Sequence, residues 1–155
     1  MSIISADLTN LDELVKLSIL LFPHDTYDEL LDIYKQGFSK DNEAALLYKK
    51  DNKFVGYMHL SIRSDYVNGT DTSPVLFVEA IYVLAEYRRQ GIGKEFIDYA
   101  KNYAKQKGIA QLASDCLIDN SLSEHFHKKC GFIEKERVIC FVQNVDDAES
   151  GSNTY

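Results

Sequence analysis

The stretch that decides the fold is Glu86-Tyr-Arg-Arg-Gln-Gly-Ile-Gly-Lys-Glu-Phe96, which gathers two arginines, two glycines and a lysine at the head of an apolar-periodic run. A helix start leaves its first N–H groups without partners and carries the positive end of the dipole, and glycine there lets an anion approach the backbone. The stretch therefore reads as a phosphate cradle. Two better-known phosphate loops are excluded by residue count. A dinucleotide fingerprint needs a third glycine where Phe96 stands. A Walker loop needs glycine at Arg88 and serine or threonine at Glu95. A glycine-containing turn that merely starts a helix remains the alternative at this point.

Working outward, Val75 to Val83 reads VLFVEAIYV, a nearly continuous apolar run suited to a strand buried on both faces. After the turn, Gly91 to Lys107 places Ile92, Phe96, Ile97, Ala100 and Ala104 at helical spacing, and Gly108 ends it. Ile109 to Cys116 reads as a strand, Asn120 to Lys129 as a short helix stopped by Gly131, and Phe132 to Gln143 as a final strand. Upstream, Asn10 and Glu13 have capping-box spacing for a helix carrying Leu14, Leu17 and Leu21. Thr26 and Glu29 start a second helix, with Leu30, Leu31 and Tyr34 as its apolar side and Gly37 as its stop. Ala44 to Lys49 and Phe54 to Ile62 flank a polar turn and should pair as an antiparallel hairpin. Residues 63–74 are dense in Asn, Gly, Asp, Thr and Pro, which is loop chemistry. The order predicts a mixed α/β (α+β) fold, a central mixed sheet flanked by helices, with the middle strand–helix–strand crossing over to a parallel neighbour.

Length and composition bound the rest. A chain of 155 residues fits one domain, expected over residues 1–145, with a loose polar tail at 146–155. The net charge of −7 disfavours a nucleic-acid partner and is compatible with a cationic one. Three cysteines without C-x-x-C spacing support neither a disulfide framework nor a zinc site, and His24 and His125 offer no paired metal spacing. No secretory leader and no apolar run of ~20 residues is visible, so a cytoplasmic protein without a membrane partner is expected.

Arg88-Arg-Gln-Gly91-Ile-Gly93 resembles the Q/R-x-x-G-x-G/A signature of the GCN5-related N-acetyltransferases, which lies between a central strand and a helix and holds the pyrophosphate of acetyl-CoA. The likeness runs from about residue 75 to 138 and includes Asn120 and the downstream Gly131-Phe132. Within that family, the loop Tyr66 to Pro74, Val78-Glu79-Ala80, Ala113-Ser-Asp115 and Gly131 to Val138 look like the aminoglycoside 6'-N-acetyltransferases. That resemblance implies acetyl-CoA as cosubstrate, no metal, a cationic aminoglycoside as acceptor, and a homodimer.

Acetyl transfer to an amine needs an uncharged nitrogen, so something must take its proton. Glu79 is the one charged residue in its strand, and an unpaired buried carboxylate would be unfavourable there, so it should face a site or a partner. It reads as a general base and amine anchor, or as one half of a structural ion pair. The resemblance makes Asp115 a second acid of the pocket, where a turn cap is the plain alternative. Asp65 and Tyr66 offer a carboxylate and a ring for an aminosugar, or ordinary turn chemistry. The family likeness adds Glu136 as a substrate contact, where an exposed strand glutamate is the plain alternative. It also adds Phe22, where several relatives carry Trp and an indole donor is lost. Backbone groups of Ile81, Tyr82 and Val83 would hold the pantetheine arm. Arg88, Arg89, Gln90, Gly91, Ile92, Gly93 and Lys94 would cradle the pyrophosphate, with Asn120 on the cofactor arm. Many relatives place Tyr four residues before the Gly-Phe pair's Gly as an acid for the leaving thiolate; here that position is His127, which could protonate a thiolate or be only a packed or solvated helix histidine, the thiolate leaving without help. No cysteine has a nucleophile's setting, so direct attack in a ternary complex is expected. Another amine as acceptor, or a non-catalytic acyl-CoA sensor, stays open.

Overall fold

The computed structural model describes residues 2–146. Five strands form one sheet in sequential order: β1 Ile3–Ser5, β2 Glu43–Lys50, β3 Lys53–Arg63, β4 Val75–Val83 and β5 Leu112–Ala113. The first three pairings are antiparallel, and β4 pairs β5 in parallel, as a crossover through a helix requires. Four helices, α1 Leu11–Leu21, α2 Tyr27–Gly37, α3 Ile92–Gln106 and α4 Ser121–Lys129, complete the mixed α/β architecture.

Local chemistry explains most boundaries. Thr26 accepts from the Glu29 backbone while the Glu29 carboxylate accepts from the Thr26 backbone, a full capping box contributing about 1 kcal/mol. The box expected at Asn10 does not form. Asn10 Oδ1 instead accepts from the Asp7 backbone at 2.8 Å, because the Asp7 turn just before α1 competes for it. The β2–β3 hairpin closes on Asp51 and Asn52 with φ of 52° and 59°, the left-handed pair that a two-residue turn demands.

Packing is divided between the sheet faces. Phe96, Ile97 and Ala100 of α3 bury against Leu46, Val55, Met58, Leu60, Leu76 and Val78. On the other face Leu14 and Val15 of α1 and Leu30 and Tyr34 of α2 cover Leu47, Tyr57 and Ala80. Each large apolar side chain so buried is favourable by about 1.5–3 kcal/mol before conformational entropy is counted. A small third cluster of Val67, Val75 and Phe77 anchors the loop at 64–74 to the sheet.

Two strand expectations are corrected. Of 109–116 only Leu112 and Ala113 join the ladder, because the segment diverges from β4 beyond Phe77. The expected strand from Phe132 to Gln143 carries no strand structure. A strand is held by its neighbour's N–H and C=O groups, and no sheet edge of this chain takes that run. Its Ile133, Ile139, Phe141 and Val142 are exposed. The tail expected at 146–155 lies, beyond Asp146, outside the described residues.

Candidate active site

The divergence of β4 from β5 opens the sheet. Their pairing stops at Phe77 and Ala113, so the β4 edge from Val78 onward, including Ile81, Tyr82 and Val83, has no strand beside it on that side. On the other side, the β3–β4 register slips between His59 and Leu60: His59 faces Ala80 and Leu60 faces Val78, leaving Glu79 as an extra residue on β4. Such a bulge re-aims a side chain next to functional sites. It gives the Glu79 carboxylate a position that regular alternation within the strand does not provide.

Glu79 is not alone. Arg63, the last residue of β3, donates from Nη2 to both Glu79 oxygens, with the Oε2 contact at 2.8 Å. Its guanidinium carbon sits 3.7 Å from the centre of the Phe77 ring. The Glu79 side chain is 21% exposed and that of Arg63 44% exposed. Sequence reasoning missed Arg63, since the contact depends on register and bulge together.

The turn at 88–94 follows β4 after Leu84 and a single 3-10 turn at Ala85–Tyr87. Arg88 Nε donates to the Val83 carbonyl at 2.8 Å, tying the turn to the strand end. Arg89 has φ of 62° and Gly91 of 84°, so the chain folds back through left-handed conformations before α3 begins. No side chain caps the α3 N-terminus, and a Cβ at Gly91 would meet nothing within 4 Å. The turn thus presents helix N–H groups, an open approach, and the cations Arg88, Arg89 and Lys94, a donor set that suits a pyrophosphate. Gln90 Oε1 accepts from Lys50 at 2.6 Å, and Lys94 pairs with Asp98 at 2.8 Å. Ile92 is buried in the core, and Gly93 lets Phe126 of α4 approach: a Cβ there would lie 2.6 Å from that ring.

That contact seats α4, and with it His127. His127 Nδ1 lies 2.6 Å from the Ser123 carbonyl, which can only accept, so Nδ1 carries a proton. In the neutral ring Nε2 then accepts a hydrogen bond from the Ser114 hydroxyl, at 2.7 Å. Ser114 stands one residue past β5, at the point of divergence. Asn120 caps α4, its Oδ1 accepting from the Ser123 backbone, which leaves the Nδ2 amide able to donate. Burial pushes the Cys130 thiol up, away from the thiolate a covalent route would need.

The remaining predicted residues lie on connecting segments. Phe22 is the C-cap of α1 and partly exposed. Asp65 and Tyr66 are exposed on the 64–74 loop, which Gln111 pins by accepting from the backbones of Asp71 at 2.8 Å and Thr72 at 3.1 Å. Asp115 is exposed and two residues beyond β5, not the end of a strand. Glu136 is exposed on the unpaired C-terminal run, beside Lys135, whose Cβ would come within 2.7 Å of a Cβ on Gly69. The loop and the Glu136 segment therefore touch. Among the described residues, no three His, Cys, Asp or Glu group to hold a metal, and no helix is long and apolar enough to cross a membrane.

Comparison with known proteins agrees with this architecture. The profile of the acetyltransferase (GNAT) family matches residues 11–132. An aminoglycoside N(6')-acetyltransferase type 1 of Acinetobacter baumannii is 38% identical over 146 residues, covering 94% of this chain and 99% of that protein. The crystal structure of an aminoglycoside 6'-N-acetyltransferase from Acinetobacter haemolyticus superposes with a TM-score of 0.87 at 34% identity, covering 94% of this chain and 100% of that one. The structure of AAC(6')-Iy in complex with the bisubstrate analogue CoA-S-monomethyl-acetylneamine does so with a TM-score of 0.88 at 34% identity, covering 92% and 97%.

Proposed function

The chain belongs to the acetyltransferase (GNAT) family, and from that premise we propose that it acetylates the 6'-amine of aminoglycoside antibiotics, a reaction that confers resistance to them. One catalytic domain over residues 1–145 would do this. The observation that carries the reading is Glu79, bulged out of β4 where the strand loses its β5 neighbour, on the strand that leads toward the anion-binding turn. Acetyl-CoA, when bound, supplies an acetyl group activated as a thioester. Arg88 to Lys94 hold its pyrophosphate, and the open β4 edge at Ile81, Tyr82 and Val83 and the Asn120 amide hold its arm.

Glu79 anchors the substrate ammonium and takes its proton, freeing the lone pair for direct attack. Asp115, Asp65 and Glu136 add negative charge for a polycation, and Phe22 and Tyr66 offer ring faces to the sugars. With a second proton on Nε2, His127 passes that proton toward the leaving thiolate through the Ser114 hydroxyl: Ser114 gives its own proton to the thiolate and receives that of Nε2, and the ring is left neutral with its proton on Nδ1. The free thiols of Cys116, Cys130 and Cys140 suit the cytosol, where acetyl-CoA is also found.

The test is thiol release from acetyl-CoA with kanamycin A and with an analogue bearing hydroxyl in place of the 6'-amine. Release is expected with the first and not the second. Turnover of spermidine without turnover of kanamycin would move the reading to another amine, and cofactor binding without any turnover would make the protein a sensor.

The working form is a homodimer. Phe141 and Val142, 88% and 93% exposed, end an apolar run that begins at Val138, and the β5 edge is available for pairing. A second copy that covers this run removes the largest exposed apolar stretch of the described residues from water. Light scattering behind size exclusion is expected to give a dimer for the native chain. Phe141→Asp should give a monomer with an unchanged circular dichroism spectrum. A native monomer overturns the dimer.

A further inference from the structure

The contact between Arg63 and Glu79 sets a problem for a polycationic substrate, because the carboxylate that should receive an ammonium already holds a guanidinium. We propose that Arg63 is a displaceable counter-ion: it occupies Glu79 in the empty pocket and yields it to the substrate ammonium, and so sets how tightly acceptors bind. The inference rests on the reading of Glu79 as substrate anchor.

The geometry favours exchange over a fixed pair. Only one nitrogen of Arg63, Nη2, reaches the carboxylate, so the two-pronged Arg–carboxylate fork, the strongest form of this contact, is not made. The Arg63 side chain is nearly half exposed and that of Glu79 about a fifth, and an ion pair open to water on one side is weak. A substrate ammonium can therefore replace it without a large barrier in free energy. The displaced cation also has a resting place. Its face lies on the Phe77 ring, an attraction that survives loss of the carboxylate. Phe77 is itself locked by Val67 and Val75, so the platform does not move with the substrate.

Position adds a second consequence. Arg63 is the last residue of β3, and the loop that carries Asp65 and Tyr66 starts immediately after it. A shift of Arg63 from Glu79 toward solvent therefore occurs at the start of the segment expected to contact the sugar. Asp65, two residues on, is exposed. An acceptor with several ammonium groups can supply one to Glu79 and others to the surrounding acids. A simple monoamine has to displace Arg63 with a single charge.

Arg63→Met tests this, because it removes the charge and keeps an apolar stem over Phe77. With kanamycin A as acceptor, its KM is expected to fall roughly two- to five-fold, the scale of one half-exposed ion pair. The KM for acetyl-CoA should move much less. In a Glu79→Gln background the gain in kanamycin affinity on adding Arg63→Met, measured by calorimetry, should shrink toward unity. Arg63→Lys, which keeps the cation, should leave the kanamycin KM close to that of the native chain and covers the case in which the methionine variant fails to fold. An unchanged or raised KM for kanamycin in Arg63→Met, or a lowered one in Arg63→Lys, overturns displacement and leaves Arg63 as a fixed support for Glu79. If Glu79→Gln alone binds kanamycin as the native chain does, Glu79 is no anchor, and the reading beneath the proposal fails by a separate result.

Discussion

Turnover of kanamycin A by Glu79→Gln is expected to fall about 10²-fold or more, the scale of losing a general base, while the affinity for acetyl-CoA stays nearly intact. An aliphatic amine is protonated at neutral pH, and an ammonium has no lone pair with which to attack. Glutamine keeps the shape of the side chain, and its amide oxygen can still accept from Arg63, so the bulge and its surroundings should persist. What it cannot do is take up a proton. The turn at 88–94 lies beyond the end of β4, with none of its hydrogen bonds routed through Glu79. Loss of the Arg63 partner is a small matter for stability, about 0–1 kcal/mol for a pair this exposed. Steady-state thiol release and calorimetric titration with acetyl-CoA separate the two effects. An undiminished rate would leave Glu79 as no more than the structural partner of Arg63.

How far the sequence revealed this site depended on the range of the interactions involved. Local chemistry was legible. Thr26 and Glu29 announce a capping box and make one, and the α3 side chains expected to be buried, from Ile92 to Ala104, are the buried ones. The same spacing at Asn10 misleads because Asp7, outside the helix, offers a competing turn. Long-range features were not legible. The bulge at Glu79 appears only once β3 and β4 are in register, and Arg63 reaches Glu79 only because that register puts them near each other across Phe77. The pairing of His127 with Ser114 likewise needs α4 to be seated by the Gly93–Phe126 approach. The run from Phe132 to Gln143 has the apolar content of a strand, but content does not supply a partner strand. Beyond Phe132, which packs on the core and against His127, its apolar side chains remain in water in the single chain.

Gly91 and Gly108 provide a matched pair for testing the anion cradle. Both have left-handed φ, 84° and 71°, and a Cβ on either would meet no atom within 4 Å. Alanine at either position therefore brings the same backbone strain, about 1 kcal/mol or more, and no steric clash with the protein. For a chain of this size, each should lower the melting temperature by roughly 2–4 °C per kcal/mol. Their locations differ. Gly108 lies past the C-terminal end of α3, whereas Gly91 is its N-cap, and the empty space beside it is the approach to the unpaired helix N–H groups. A methyl group at Gly91 stands where a phosphate oxygen would make contact, and lengthening those charge-assisted contacts weakens each of them. Gly91→Ala is thus expected to raise the dissociation constant for acetyl-CoA about ten-fold or more, equivalent to ~1.4 kcal/mol. Gly108→Ala should leave that constant within about two-fold of the native value, a gap wider than strain alone produces. Because both variants carry the same strain, a loss of affinity seen in both would trace to α3 stability and not to the cradle. If both keep full affinity, the pyrophosphate is held somewhere other than the turn at 88–94.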